Sequence, residues 1–389
     1  MNDYVTECIT ILGVDDVSAA LRDARRIVVK VGSSSITAPR GGINAYQLQA
    51  LSTVVAKRWQ EGAQVLLVSS GAIAAGMTPL GLTRRPKDLA TQQAAASAGQ
   101  GSLMAAYTQA FSLHGMNVGQ VLLTADDLHR RTQYVNASRT LERLLELEVV
   151  PVVNENDAVA TDEIRFGDND RLAALVANVV DADALVLLSD VDGLYSAHPR
   201  DPAARRIPLV SDPAHIAHID TSTMTSTVGT GGMASKVAAA AMATQEGITV
   251  LLTSTAQAGR ALAGDDVGTY FAPTGPKKSA RRRWLAHAAT SQGRLILDQG
   301  AVAAVVQRQT SLLPVGVTSV EGHFSVGDTV DLCNPDGAVV ARGLVNYTSA
   351  DLVPLVGRRL NTDTSHHARS RVPGSAAHTV VRRDDLVVL

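Results

Sequence analysis

Short apolar runs that end on small polar residues and then enter a helical pattern recur along the first two thirds of the chain. This recurrence restricts the architecture more than any other feature. The first run, residues 26–31, leads into Gly32-Ser33-Ser34-Ser35, and residues 65–68 lead into Ser69-Ser70-Gly71-Ala72. Residues 118–123 precede Thr124, and 149–153 run into Asn154-Glu155-Asn156-Asp157. Residues 184–188 end on Ser189-Asp190, and 249–252 precede a Gly-rich loop at 259–268. Continuous Val/Ile/Leu runs suit strands buried on both faces. Helical patterns fall between them at 45–61, 134–147 (Leu141, Leu144 and Leu145 on one face), 171–178 (amphipathic) and 237–246. A further Ala/Gln-rich helical stretch, 88–115, is interrupted by Gly99 and Gly101. The alternation predicts an α/β fold, a three-layer αβα sandwich with a mainly parallel sheet.

Beyond residue 275 the pattern changes. Residues 276–292 read as a basic linker, and 293–372 as a small β-rich domain of short strands and turns, with one short helix at 301–307. Residues 373–389 read as a tail with short strands at 379–381 and 386–389. Residues 1–25 form an extension with a helix at 17–24 capped by Asp15 or Asp16. A chain of 389 residues is expected to hold two domains. Aromatic residues are only 3%, so the core must be built from Ala, Val and Leu. The net charge of −2 gives no global argument for nucleic acid, although the last third is mildly basic. Cys8 and Cys333 have no metal or redox spacing, which fits a reduced cytoplasmic compartment. No apolar run is long enough to span a membrane, and Asp3 and Glu7 argue against a signal peptide.

The strand ends carry the chemistry, because open α/β sheets bind ligands there. Lys30 adjoins one Gly/Ser turn, and Lys236 follows Thr230-Gly231-Gly232-Met233-Ala234-Ser235 at a helix start. Cations and backbone N–H groups around an anion are the parts of phosphoryl transfer. Taken singly, a strand-ending lysine is more often simply solvated, and a small-residue turn is as compatible with tight packing. Neither a Walker A spacing nor a dinucleotide fingerprint is present. Asp162 and Asp168 read as caps or loop acids, Asp192 and Tyr195 as turn and core residues. His198, His215 and His218 have no ligand spacing.

Seven segments in order make the chain resemble the amino acid kinase family. They are VVKVGSS (28–34), VSSGAIAAG (68–76), GQVLLT (119–124), VPVVNENDAVA (150–160), FGDNDRL (166–172), LLSDVDGLY (187–195) and GTGGMASK (229–236). Residues 300–316 and 320–331 resemble a PUA domain, and the likeness spans about 26–372. The resemblance implies ATP-dependent phosphorylation of the γ-carboxylate of L-glutamate, the first step of proline biosynthesis, with feedback inhibition by L-proline. It further implies that Lys30 and Lys236 contact the ATP phosphates and that Asp170 holds both lysines. Ser70, Asn154, Asp157 and Asn169 would bind glutamate, with Asp157 facing its ammonium. Ser189, Asp190 and Thr230 to Lys236 would line the nucleotide site. It implies Mg²⁺ alongside ATP, without assigning metal ligands, and a homo-oligomer, dimer or tetramer. An RNA-binding protein is the alternative that the PUA-like tail raises. The pattern of the first two thirds opposes it, and no aromatic stacking platform is visible.

Overall fold

In the computed structural model of the chain, residues 13–38, 42–124, 127–128, 130–159, 169–198, 201–212, 216, 232–275, 285, 291–358 and 379–389 are described. The buried Val/Leu runs pair as an eight-stranded sheet, in the order β3-β4-β2-β1-β5-β7-β8-β6. The strands are β1 Arg26–Val31, β2 Gln64–Val68, β3 Asn117–Leu123, β4 Val149–Glu155, β5 Ala184–Ser189, β6 Leu209–Val210, β7 Thr249–Ser254 and β8 Thr269–Phe271. Every pairing is parallel except β7 with β8. β1 leads to its neighbour β2, whereas β4 crosses over to β5 on the other side of β1. The crevice beyond the β1 and β5 C-termini is therefore a topological switch point.

Side-chain alternation along β1 divides the layers. Ile27, Val29 and Val31 pack with Leu48, Leu51 and Val55 of helix Ala45–Gln60, and with Leu103, Tyr107 and Phe111 of helix Leu89–Ser112. Val28 and Lys30 face the opposite way. On that side lies helix Asn169–Val179, whose Asp170 meets Lys30. The sequence pattern makes this helix amphipathic, yet all its residues except Asn169 and Arg171 are buried. It is packed between the sheet and helix Met233–Gln245.

Gly99 and Gly101 do not interrupt the helix Leu89–Ser112. A Cβ on Gly99 would stand 1.8 Å from Ala72 O and 2.4 Å from Gly76 N, and one on Gly76 would stand 1.8 Å from Ala95 O. The glycines are there so that helices Ala72–Met77 and Leu89–Ser112 can touch backbone to backbone. The described part of the N-terminal extension forms helix Val14–Arg22, in which Asp16 accepts a hydrogen bond from the Gly13 N–H at 2.9 Å. Val17 and Leu21 enter the main core, so this helix is a packed element.

The chain divides into two compact units, one of residues 1–128 and 132–277, the other of 129–131 and 278–389. The second has a five-stranded sheet, ordered β10-β9-β11-β12-β13. Its strands are β9 Gly293–Leu297, β10 Val317–Gly322, β11 Thr329–Cys333, β12 Val339–Val345 and β13 Val381–Val388. β9 and β11 are parallel and the other neighbours antiparallel. Leu295, Leu297, Val330, Leu332, Val345 and Val381 form its core beside helix Gln299–Val306. Within residues 373–389, where two short strands are expected at 379–381 and 386–389, Val381–Val388 forms one strand of this sheet, paired with β12. Most of the basic linker, and residues 359–378, lie outside the described residues. No described helix is long and apolar enough to cross a membrane.

Candidate active site

Three side chains from two elements converge on one carboxylate. Lys30, near the C-terminal end of β1, brings its Nζ to 2.6 Å from Asp170 Oδ1. Lys236, in the first turns of helix Met233–Gln245, brings its Nζ to 3.0 Å from Oδ2. Ser235 Oγ donates to the same Oδ2 at 3.1 Å. Asp170 is wholly buried, and the lysine side chains retain 6% and 9% exposure. Burial pushes the Asp170 carboxyl up, but the Lys30 and Lys236 charges and their hydrogen bonds outweigh this and hold it below its ordinary value. The cluster carries one net positive charge, which a bound anion would answer.

The helix Asn169–Val179 begins earlier than its apolar pattern predicts, which sets Asp170 in the first turn and Asn169 beside it. Asn169 Nδ2 donates to Ser70 Oγ at 2.9 Å and to Asn154 Oδ1 at 3.3 Å. Asn154, at the end of β4, also accepts from the Glu155 N–H and donates from Nδ2 to Gln100 Oε1, both at 2.9 Å. Ser70 is held by the turn between β2 and helix Ala72–Met77, where Gly71 adopts φ +91°. A side chain there would be strained and would crowd Thr37. The preceding Ser69 is fully buried, with its Oγ 3.0 Å from the hydroxyl of Tyr107. Burial raises the Tyr107 pKa to about 12, so it stays a neutral partner. Asp157 lies two residues beyond the end of β4. It lines a cavity of about 280 Å³ together with Ser97, Gln100, Gln120, Glu155 and Asn156.

On the other side of the lysines, Ser189 ends β5 and its Oγ donates to Asp190 Oδ1 at 3.0 Å. Thr255 Oγ1, just past β7, lies 2.6 Å from Ser35 Oγ and 3.3 Å from the Ser189 carbonyl. These hydroxyls tie the ends of β5 and β7 to the turn after β1. Gly232 is the N-cap of helix Met233–Gln245; Met233 is buried and Ala234 exposed. Thr230, Gly231, Asp162, Asp168, His215 and His218 lie outside the described residues. Tyr195 donates to Asp192 at 2.9 Å, a turn contact.

The structure thus brings together Lys30, Asp170 and Lys236, and separately Ser70, Asn154 and Asn169, with Asn169-Asp170 joining the groups. Sequence reasoning missed Gln100, Tyr107, Ser35 and Thr255. The first two lie on the Ala/Gln-rich helix, where their only signal was being polar or aromatic among alanines. Among the described residues, no group of three or more His, Cys, Asp or Glu could hold a metal ion.

The family model for the amino acid kinase family matches residues 25–254, and that for the PUA domain matches 293–365. A glutamate 5-kinase of Thermobifida fusca is 54% identical over 379 residues, covering 97% of this chain and 96% of that protein. One from Streptomyces avermitilis is 56% identical over 368 residues, 94% of this chain and 97% of the relative. One from Mycobacterium tuberculosis is 53% identical over 371 residues, 95% and 96% of the two chains. The first family model takes in every strand of the large sheet except β8, together with both lysines and the aspartate between them. With that match and relatives of this closeness, the chain belongs to the amino acid kinase family.

Proposed function

We propose that this chain transfers the γ-phosphoryl group of ATP to the γ-carboxylate of L-glutamate, giving ADP and L-glutamyl 5-phosphate, the first step of proline biosynthesis. The observation that carries the reading is the pairing of Asp170 with two buried lysines while its neighbour Asn169 holds the amide cluster. Sites for a phosphate and for an amino acid then adjoin at one helix start. Relatives named glutamate 5-kinase, more than half identical over nearly the whole chain, support the choice of acceptor.

The chemistry asks little of an acid or base. A γ-carboxylate is already ionised at neutral pH and can attack the phosphorus directly. The obstacle is bringing one anion to another. Lys30 and Lys236 offset that repulsion and follow the charge as it moves to the leaving oxygen. Asp170 is a positioning residue: it aims both ammonium groups and has no proton to give. Ser70, Asn154 and Asn169 hold the acceptor, and Asp157 faces its ammonium. Ser189, Asp190 and the segment from Thr230 to Lys236 line the nucleotide side. Mg²⁺, when bound with ATP, would supply further neutralisation of the phosphate charge beside Lys30 and Lys236. The lack of a carboxylate cage among the described residues fits an ion that the nucleotide itself brings. L-Proline, which carries a secondary ammonium beside its α-carboxylate, would compete with glutamate. The enzyme would work in the cytoplasm as a dimer or tetramer.

The test is acyl phosphate formation, trapped as the hydroxamate, across L-glutamate, L-aspartate, N-acetyl-L-glutamate, carbamate and UMP as acceptors, with ADP release followed in parallel. L-Glutamate should be fastest, with proline raising its KM and leaving kcat unchanged. A faster rate with any other acceptor would overturn the assignment.

A further inference from the structure

The direction of the hydrogen bonds through the amide cluster is set by one group that can only donate. The backbone N–H of Glu155 donates to Asn154 Oδ1, so the other end of that amide is its NH₂. That NH₂ donates to Gln100 Oε1, so Gln100 turns its own NH₂ away from Asn154. Gln100 Nε2 is buried and, among the described residues, has no hydrogen-bond partner. Asn169 uses its NH₂ on Ser70 and Asn154, and its Oδ1 is likewise buried without a partner among them. The row Gln100-Asn154-Asn169 therefore presents an unmet donor at one end and an unmet acceptor at the other.

Buried polar atoms are nearly always satisfied, so two orphans flanking one residue mark where ligand atoms sit. Gln100 also lines the cavity that holds Asp157. Glu155 and Asp157 would attract an ammonium there and repel a carboxylate, whereas the Gln100 NH₂ is an uncharged donor suited to a carboxylate. An unmet donor and an unmet acceptor on either side of Asn154 suit the oppositely charged groups of an amino acid. We infer that Gln100 donates from Nε2 to the α-carboxylate of the acceptor and is a specificity-determining residue. Asn169 Oδ1 and Asp157 take the α-ammonium. The inference rests on the proposed glutamate phosphorylation, and it adds how a free α-carboxylate is read.

Two acceptors that share the ammonium and the γ-carboxylate separate the possibilities: L-glutamate and its α-amide, neutral at the α-carboxyl position. Wild-type protein should prefer L-glutamate. Gln100→Ala should lower kcat/KM for L-glutamate by about 10- to 100-fold, the usual effect of losing one charge-assisted hydrogen bond. The α-amide should change far less, and the ATP KM should hold. Gln100→Glu keeps an oxygen for Asn154 and sets an acceptor where the donor stood. It should therefore invert the preference towards the α-amide, whose NH₂ can donate. Being nearly isosteric, it also serves if the alanine variant melts early. Equal losses on both acceptors in both variants would mean that Gln100 acts only through Asn154, and would overturn the inference. If wild-type protein forms acyl phosphate from neither acceptor, the kinase reading itself fails and this one with it.

Discussion

Asp170→Asn removes one charge and almost no volume, so its consequences are electrostatic. The carboxylate oxygens stand 2.6 and 3.0 Å from two lysine nitrogens that are themselves nearly buried. Ammonium groups on opposite oxygens of one carboxylate lie roughly 5–6 Å apart. With the negative charge gone, their repulsion at an effective dielectric constant of about 20 is about 3 kcal/mol. Removing one member of a buried ion pair costs about 3–5 kcal/mol in all, which contains that repulsion. Urea unfolding at about pH 7 should show a loss of that size. The Asp170 pKa is depressed below its ordinary 3.8 by the lysines. A carboxyl depressed in the native state contributes fully above its unfolded value, and loses the contribution as pH falls through the native one. The gap between wild type and variant should therefore stay constant from about pH 7 to about pH 5 and narrow only below 3.8. Turnover should fall at least about 100-fold as the lysines splay. A variant with wild-type stability at neutral pH, or a gap that closes well above 3.8, would refute this account of the cluster.

Lys236→Ala should lower kcat by about 100- to 1,000-fold while circular dichroism stays native, since Lys30 still pairs with Asp170. If Asp157 holds the ammonium as proposed, Asp157→Asn should raise the glutamate KM far more than the ATP KM, read from paired saturation curves. Gly99→Ala gains about 1 kcal/mol of helix propensity. Its methyl would meet Ala72 O at 1.8 Å, and such overpacking costs about 1–3 kcal/mol or more. A lowered melting temperature is expected, and a raised one would contradict the backbone contact.

The strands were readable where burial on both faces wrote itself as a Val/Leu run: β1, β2, β4, β5 and β7 all announce themselves. β6 and β8 escaped because two or three residues are too few to show a period. β13 was read as two fragments because Arg382, Arg383 and Asp385 break its apolar run. Gly99 was taken for an interruption because propensity is local, whereas its reason lies on another helix. The helix Met233–Gln245 starts early for a similar reason: Met233 and Lys236 are buried by tertiary contacts that a scan for apolar spacing does not see. Of the site, Lys30 and Lys236 stood out as cations beside small-residue turns. Their meeting on Asp170 was implied by family likeness alone. Gln100 carried no local mark, because its partner Asn154 is distant in sequence.

The shared aspartate also bears on how the protein is made. Lys30 belongs to the first strand, Asp170 to the middle of the chain and Lys236 to the last long helix before β7. As the polypeptide leaves the ribosome, Asp170 can meet Lys30 well before Lys236 has been synthesised. The nascent sheet would then hold a neutral lysine–aspartate pair at its switch point. Only when the helix Met233–Gln245 docks does the pocket acquire its surplus positive charge. On the proposed function, nucleotide affinity would arrive late in synthesis, and a chain cut short before that helix would be left with the ion pair and without the second cation.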